Sequence, residues 1–413
     1  MKLIQLLITA KSPLALGQAK TGSSVSNVAS YIPGTVIRGA IAGVMLRQAQ
    51  AAGQDFSQEA DSDFKTLFID NQAIFQNAYP ALTDTLDLDA DVQVMPATAL
   101  SAKNSSGFKP KRTGVFDTLI DRFCADAYGM VYDPNCPVDG GRVDPFKGLY
   151  SIDSKGQYHN HSSTTRLLTR VGINRRRNTT EDQVLYSIQV LNEFKRKGQD
   201  SREMIFASKI WVCDALADSL LAYLTTQANN FRLGGSASRG LGKVELKPQI
   251  LEPKITLTQR VANFNQTLTE RWKRWKIFGS SHQEEIADRC FFSLDLQSDG
   301  VLTENWLRTM VISKAMLQAA VGLTSGNLRL HAAYSSSSQR SGWNSAWGLP
   351  KDMELTTDRG SVYLFSIDES DRETWLSKLE ELEIWGIGNA TAEGFGQVRV
   401  CDEFHTVLRE HGK

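Results

Sequence analysis

Residues 231–246, "FRLGGSASRGLGKVEL", crowd glycines and cations together just ahead of a strand-like run. Gly234, Gly235, Gly240 and Gly242 let the backbone take positive φ values, so successive N–H groups can aim at one point and receive an anion. Ser236 lies between them. Arg232, Arg239 and Lys243 add charge, and the planar guanidinium of Arg239 suits bidentate contact with phosphate oxygens. A plainer role competes, in which the glycines only allow close packing at a helix-to-strand turn. The arrangement recurs late in the chain as "EIWGIGNATAEGFGQVRV", with Gly388, Asn389 and Phe395 in its loop. Two such loops, each ahead of a strand, raise the anion-binding reading above what one glycine pattern carries.

Neither loop is a nucleotide motif. "GSASRGLGK" lacks the G-x-x-x-x-G-K-[ST] order and precedes a strand instead of opening a helix. "GIGNATAEGFG" has no acidic residue about 20 positions on in a β-α-β setting. A small-nucleotide enzyme is disfavoured, and other basic stretches point to an RNA-sized anion. "TTRLLTRVGINRRRN" carries Arg166, Arg170, Arg175, Arg176 and Arg177 with Asn174 and no acid among them. "SAKNSSGFKPKRTG" sets Lys103, Lys109, Lys111 and Arg112 around Phe108. The ordinary alternative for each is a solvated charged face. "TERWKRWK" mixes Trp272 and Trp275 with cations, and tryptophans three apart suit a helix anchored to the core at least as well as base stacking.

Cleavage of RNA would need a general base, commonly histidine, placed against a 2′-hydroxyl. Of the histidines, His159 and His161 are the pair beside a basic stretch; solvated loop histidines are the default reading. His331 lies mid-strand, where a satisfied core or interface residue is expected. Cys124 and Cys136 in "CADAYGMVYDPNCPVDGG" are the candidate metal ligands, but two thiolates without a partner pair do not complete a tetrahedral zinc site. No other cofactor is implied.

These residues need elements to hold them. The chain has 413 residues, long enough for two or three domains, and its 46 basic and 46 acidic residues cancel, so an anion site must come from local clustering. No apolar run reaches the length of a membrane span. The start, "MKLIQLLITAKSPLAL", reads as a buried first strand of a cytoplasmic protein, since Gln5 interrupts any signal-like stretch. The odd, scattered cysteines fit reduced thiols.

"LIQLLITA" predicts a strand, "YIPGTVIRGAIAGVMLRQAQ" a helix, and the alternating residues 184–190 and 204–210 two further strands. "DALADSLLAYLTTQ" predicts a helix and "KVEL" the closing strand. "CFFSLDL", "ENWLRTMVISKAMLQAAV", "LRLHAAY", "SVYLFSI", "DRETWLSKLEELE" and "QVRV" repeat that order. The expected fold class is α+β: two ferredoxin-like (RRM-like, βαββαβ) domains in tandem with insertions, at 1–250 and 251–413. A polar insertion is expected at about 51–165, a connecting helix at 258–278, and a loop or hairpin at 335–360.

The set "SPLALG", "YIPGTVIRGAIA", "TRVGINRRRNTTEDQVLYSIQVLNE", "FRLGGSASRGLGKVEL" and "GIGNATAEGFGQVRV" resembles the RAMP superfamily of CRISPR-associated RNA-binding proteins. More narrowly it resembles the Csx-class RAMP subunit of type III-D effector complexes. The resemblance implies a subunit that holds guide RNA (crRNA), often by its 5′ handle, and through it target RNA. It implies contacts with a large polymerase-like subunit and neighbouring RAMP subunits, in antiviral defence. Carried across, Arg38 at the first helix, Gly235, Ser236 and Arg239 of the loop, and Arg170, Arg175 and Arg176 would contact RNA. Relatives that cut target RNA usually carry an Asp after the first strand; "GQAKTGSSVSNVAS" has no carboxylate, which favours a non-catalytic subunit over an endoribonuclease. Relatives often have a CPxC pair in the insertion, and here Asp139 stands at its last position.

Overall fold

A computed structural model describes residues 1–18, 27–53, 63–81, 91–174, 179–197, 200–251, 255–281, 286–324, 327–344 and 349–409. The architecture is mixed α/β with several small antiparallel sheets. Strand β1 (Lys2–Ala10) buries Ile4, Leu6 and Ile8 on one face and Leu3 and Leu7 on the other, as an interior strand must. Pro33 turns the chain into α1 (Gly34–Ala51), which buries Ile37, Ile41 and Val44 at helical spacing. Next come β2 (Ala73–Phe75), β3 (Ile205–Val212), α2 (Asp214–Thr226) and β4 (Val244–Ile250). The five-stranded sheet runs β4-β1-β3-β2, with Tyr79–Ala81 also paired to β3, and α1 and α2 pack on the face bearing Ile4, Leu6 and Ile8.

Helix α3 (Leu257–Trp275) leads to the second unit. There β5 (Arg289–Leu296), α4 (Lys314–Val321), β6 (Arg329–Tyr334), β7 (Val362–Asp368), α5 (Arg372–Trp385) and β8 (Val398–Val400) follow. Its sheet runs β6-β7-β5-β8, so each unit places its fourth strand beside the first and its second beside the third. No described helix is long and apolar enough to cross a membrane.

Two expected elements are corrected. Residues 184–190 are not the second sheet strand; they lie in strand Thr179–Leu191, which pairs with Thr165–Asn174 in a separate hairpin. The second strand is Ala73–Phe75, inside the stretch expected to be an insertion. Alternation reports half-burial, not which sheet a strand joins, and Val190 alternates because it sits on a small core of its own. The predicted helix from residue 304 also starts late. Thr303–Glu304 and Leu307–Arg308 form a hairpin instead, and α4 opens only where Ser313 accepts from the Met316 N–H at 3.1 Å.

Trp272 packs on Phe123 and Tyr128, and Trp275 donates to Asp121 at 2.9 Å, so both tryptophans anchor α3. His405 ties the intervening segment to the second unit: its Nδ1 meets Asp117 at 3.0 Å and its Nε2 meets Asp295 at 2.7 Å, all three buried.

Candidate nucleic-acid interface

The first glycine loop joins α2 to β4. Ser236 takes φ 59°, Ala237–Arg239 form one 3-10 turn, and Gly240 takes φ 84°. The Gly235 N–H donates to Ala15 O at 2.8 Å and the Gly242 N–H to Pro13 O at 2.9 Å, strapping the loop to the chain that leaves β1. Gly242 is required by packing as well as by its φ of 85°, since a Cβ there would stand 2.6 Å from the Leu233 carbonyl oxygen. Gly240 faces open space. Of the two roles foreseen for the glycines, the packing role occurs in this loop, and the Gly235, Gly240 and Gly242 amides are engaged by protein carbonyls.

The second loop is built the same way. Ala390 takes φ 58°, Thr391–Glu393 form the 3-10 turn, and Gly394 takes φ 90°. The Asn389 N–H donates to Val301 O at 2.9 Å and the Gly396 N–H to Asp299 O at 2.9 Å. Its surroundings differ. Gly394 is seated on the first unit, where a Cβ would lie 2.7 Å from Phe75 O and 3.2 Å from the Gly34 Cα. The Gly34 N–H donates to Asn77 at 2.9 Å beside it. Phe395 is half-buried, while Gly388 and Asn389 stay exposed. The Asn389 side chain donates to Thr303 at 3.3 Å. This loop is a joint between units, and Glu393 stands where the first loop has Arg239.

The hairpin Thr165–Asn174/Thr179–Leu191 reaches the first loop. Ala15, Val190 and Leu241 form a small core with Leu168 and Ile188 against it. On that same hairpin face Arg170 is paired in register with Tyr186. The Arg239 guanidinium donates to the Tyr186 hydroxyl at 2.6 Å and stacks 5.3 Å from its ring centroid. Among the described residues Arg170, Arg239 and Lys243 are exposed and form no ion pair. Arg166 differs, because Glu193 holds it at 2.9 Å and Asn192 at 3.1 Å. Arg175 and Arg176 lie outside the described residues, as does the side chain of Asn174. Tyr186 was not singled out from sequence. Only its alternation in the strand marked it, and that gave no hint of Arg239.

Other expected residues are placed elsewhere. Arg38 is half-buried on α1, donates to Phe68 O and to Asn71 at 3.0 Å, and lies 5.7 Å from the Phe68 ring, so it clamps the following segment. Phe108 is buried in a separate core with Phe146, Tyr158 and Phe404, leaving Lys111 exposed beside it and Lys109 half-buried and partnered.

His159 meets Asp153 at 3.0 Å. His161, expected in a solvated loop, is instead buried with its Nε2 2.8 Å from the Ser151 hydroxyl. Burial, with His159 and Lys195 adding to it, presses His161 down to about 4. Cys124 is buried in helix Leu119–Ala127, where burial and then Asp121 push its thiol up to about 12. The Cys136 thiol hydrogen-bonds Asp139 and lowers that carboxyl. Among the described residues no group of three or more His, Cys, Asp or Glu is placed to hold a metal.

A search of curated proteins gave no match. Among solved structures, a chain of the type III-B Cmr-beta complex bound to cognate target RNA and AMPPnP is 12% identical, covering 91% of this chain and 93% of that one at a TM-score of 0.38. A second, bound to cognate target RNA, is also 12% identical, covering 92% and 94% at 0.38. A third, from the apo Cmr-beta complex, is 14% identical and covers 62% of this chain and 99% of that one at 0.29. Those scores are too low to carry an argument. The RAMP superfamily model, by contrast, matches residues 7–245, from β1 through the first glycine loop into β4. That span is more than half of the chain, and the protein belongs to the RAMP superfamily.

Proposed function

We propose that this protein is a guide-RNA-binding, non-catalytic subunit of a cytoplasmic type III CRISPR effector complex, of the type III-D class. Both units are read as ferredoxin-like, which the strand orders β4-β1-β3-β2 and β6-β7-β5-β8 support. Single-stranded RNA lies along the first glycine loop and the arginine hairpin, its phosphates near Arg239, Arg170 and Lys243. Holding RNA by its backbone needs no base readout by the protein, because guide pairing supplies the sequence. Its partners are crRNA, target RNA through it, the large polymerase-like subunit and adjacent RAMP subunits. The observation that carries this is the meeting of Arg239, Tyr186 and Arg170, which joins two basic segments far apart in sequence into one exposed surface.

Affinity purification of the tagged protein from cells carrying the locus tests the reading. It should recover a discrete guide-length RNA together with other effector subunits. Recovery of the protein alone, or cleavage of repeat RNA by the purified protein without metal, would overturn it.

A further inference from the structure

The second unit has a cavity of about 470 Å³ that the glycine-loop surface does not use. It opens at the start of α4 and the near end of β6. Arg289, Lys314, Arg329 and His331 line it over a floor of Phe123 and Phe291, and among the described residues no carboxylate lines it. A volume of this size accommodates a small ligand.

The polar wall is preset. Arg289 is held by Asp368 at 2.8 Å, and its Nε donates to the Ser366 hydroxyl at 2.7 Å. The same hydroxyl meets His331 Nε2 at 2.7 Å. A guanidinium only donates, so the hydroxyl accepts from Arg289 and can give its proton to His331, leaving the ring N–H on Nδ1. Strand β6 shifts register between Leu330 and Ala332, a bulge at His331 of the kind that re-aims a side chain. Phe123 and Phe291 grip the imidazole at 5.2 Å each. Burial, then Arg289 and Arg329, hold His331 down to about 4, so its imidazole is neutral at pH 7. Lys314 is exposed at the first turn of α4, where helix amides add a positive end. The apolar floor lowers the local dielectric and strengthens attraction for an anion.

We propose that this cavity binds a phosphate monoester, with Lys314 and Arg329 on its oxygens and His331 as a neutral donor. The chemistry is shared by a free nucleoside monophosphate and by the phosphorylated end of an RNA strand. Calorimetric titration at low salt with inorganic phosphate, AMP, and a dinucleotide with or without a 5′-phosphate tests it. All phosphate-bearing probes should bind, the 5′-hydroxyl dinucleotide should not, and Lys314→Glu should weaken binding at least about tenfold. Imidazole resonances should shift on binding, the moving one being absent in His331→Gln. Tighter binding of the phosphorylated dinucleotide than of AMP would identify a strand end as the source, and the reverse a free nucleotide. The proposal is overturned if no phosphate-bearing probe binds, if a folded Lys314→Glu binds as the parent does, or if Arg239→Ala abolishes the binding.

Discussion

Arg239 and Tyr186 are 53 residues apart in sequence, yet the guanidinium of one donates to the hydroxyl of the other at 2.6 Å. That contact fixes a cation on the glycine loop against an aromatic on the hairpin. Among the described residues the other guanidinium nitrogens make no hydrogen bond, and Arg239 stays exposed.

Arg239→Ala should weaken single-stranded RNA binding by roughly tenfold and lower the salt slope by about one. Arg170→Ala should act similarly, because it is exposed and paired in register with Tyr186 on the hairpin. Tyr186→Phe keeps the ring face and should cost less. Filter binding across a salt series reads all three, and unchanged slopes would remove this surface from the RNA path.

Gly394→Ala should destabilise the joint between the units by about 1–3 kcal/mol, since it combines a φ of 90° with a carbonyl 2.7 Å from the new methyl. Gly240→Ala, with a similar φ but open space, should cost about 1 kcal/mol. Denaturant melts of both variants should rank them in that order. Equal costs would show that Gly394 does not set the seat.

His405 gives a pH signature. Burial alone would push its pKa down, but Asp295 and Asp117 outweigh burial and hold it well above the ordinary value. A raised folded pKa means the pairing stabilises fully below the unfolded value of about 6.5 and fades as pH rises through the folded value. His405→Gln should therefore lose stability most at acidic to neutral pH and flatten the alkaline decline, as urea melts between pH 6 and 10 would show.

His161 gives the opposite signature. Its folded value of about 4 lies below the unfolded one, so its contribution is present above about 6.5 and lost as pH falls through 4. Hydrogen-exchange protection factors in strands Leu149–Ile152 and Tyr158–His161 should fall over that window in the parent and less in His161→Gln. An unchanged pH response in the variant would place the transition elsewhere.

Asn305 and Trp306 both take positive φ, 48° and 68°, at the tip of the Thr303–Arg308 hairpin, and Trp306 is 98% exposed. An aromatic there bears backbone strain without burial in return. Trp306→Gly should stabilise the isolated protein by roughly 0.5–1 kcal/mol. A loss of stability in thermal melts would show that the ring is packed in solution.

What the sequence alone determined follows from short-range physics. Apolar periodicity located β1, α1, α2 and the connecting helix α3, because burial of one face is written in neighbouring residues. Glycine spacing located both loops, because positive φ is a property of single positions. Pairing partners were not legible. A three-residue strand at Ala73–Phe75 is too short to show a period, while the longer alternation at 184–190 drew attention to a hairpin outside the sheet. The site was half legible for the same reason. The cations of the loop and hairpin stood out, but only tertiary contact joined Arg239 to Tyr186, turned Arg38 inward and seated Gly394 on the first unit. Composition cannot tell a cation facing solvent from one spent on a carbonyl, because that depends on which segments the fold brings alongside.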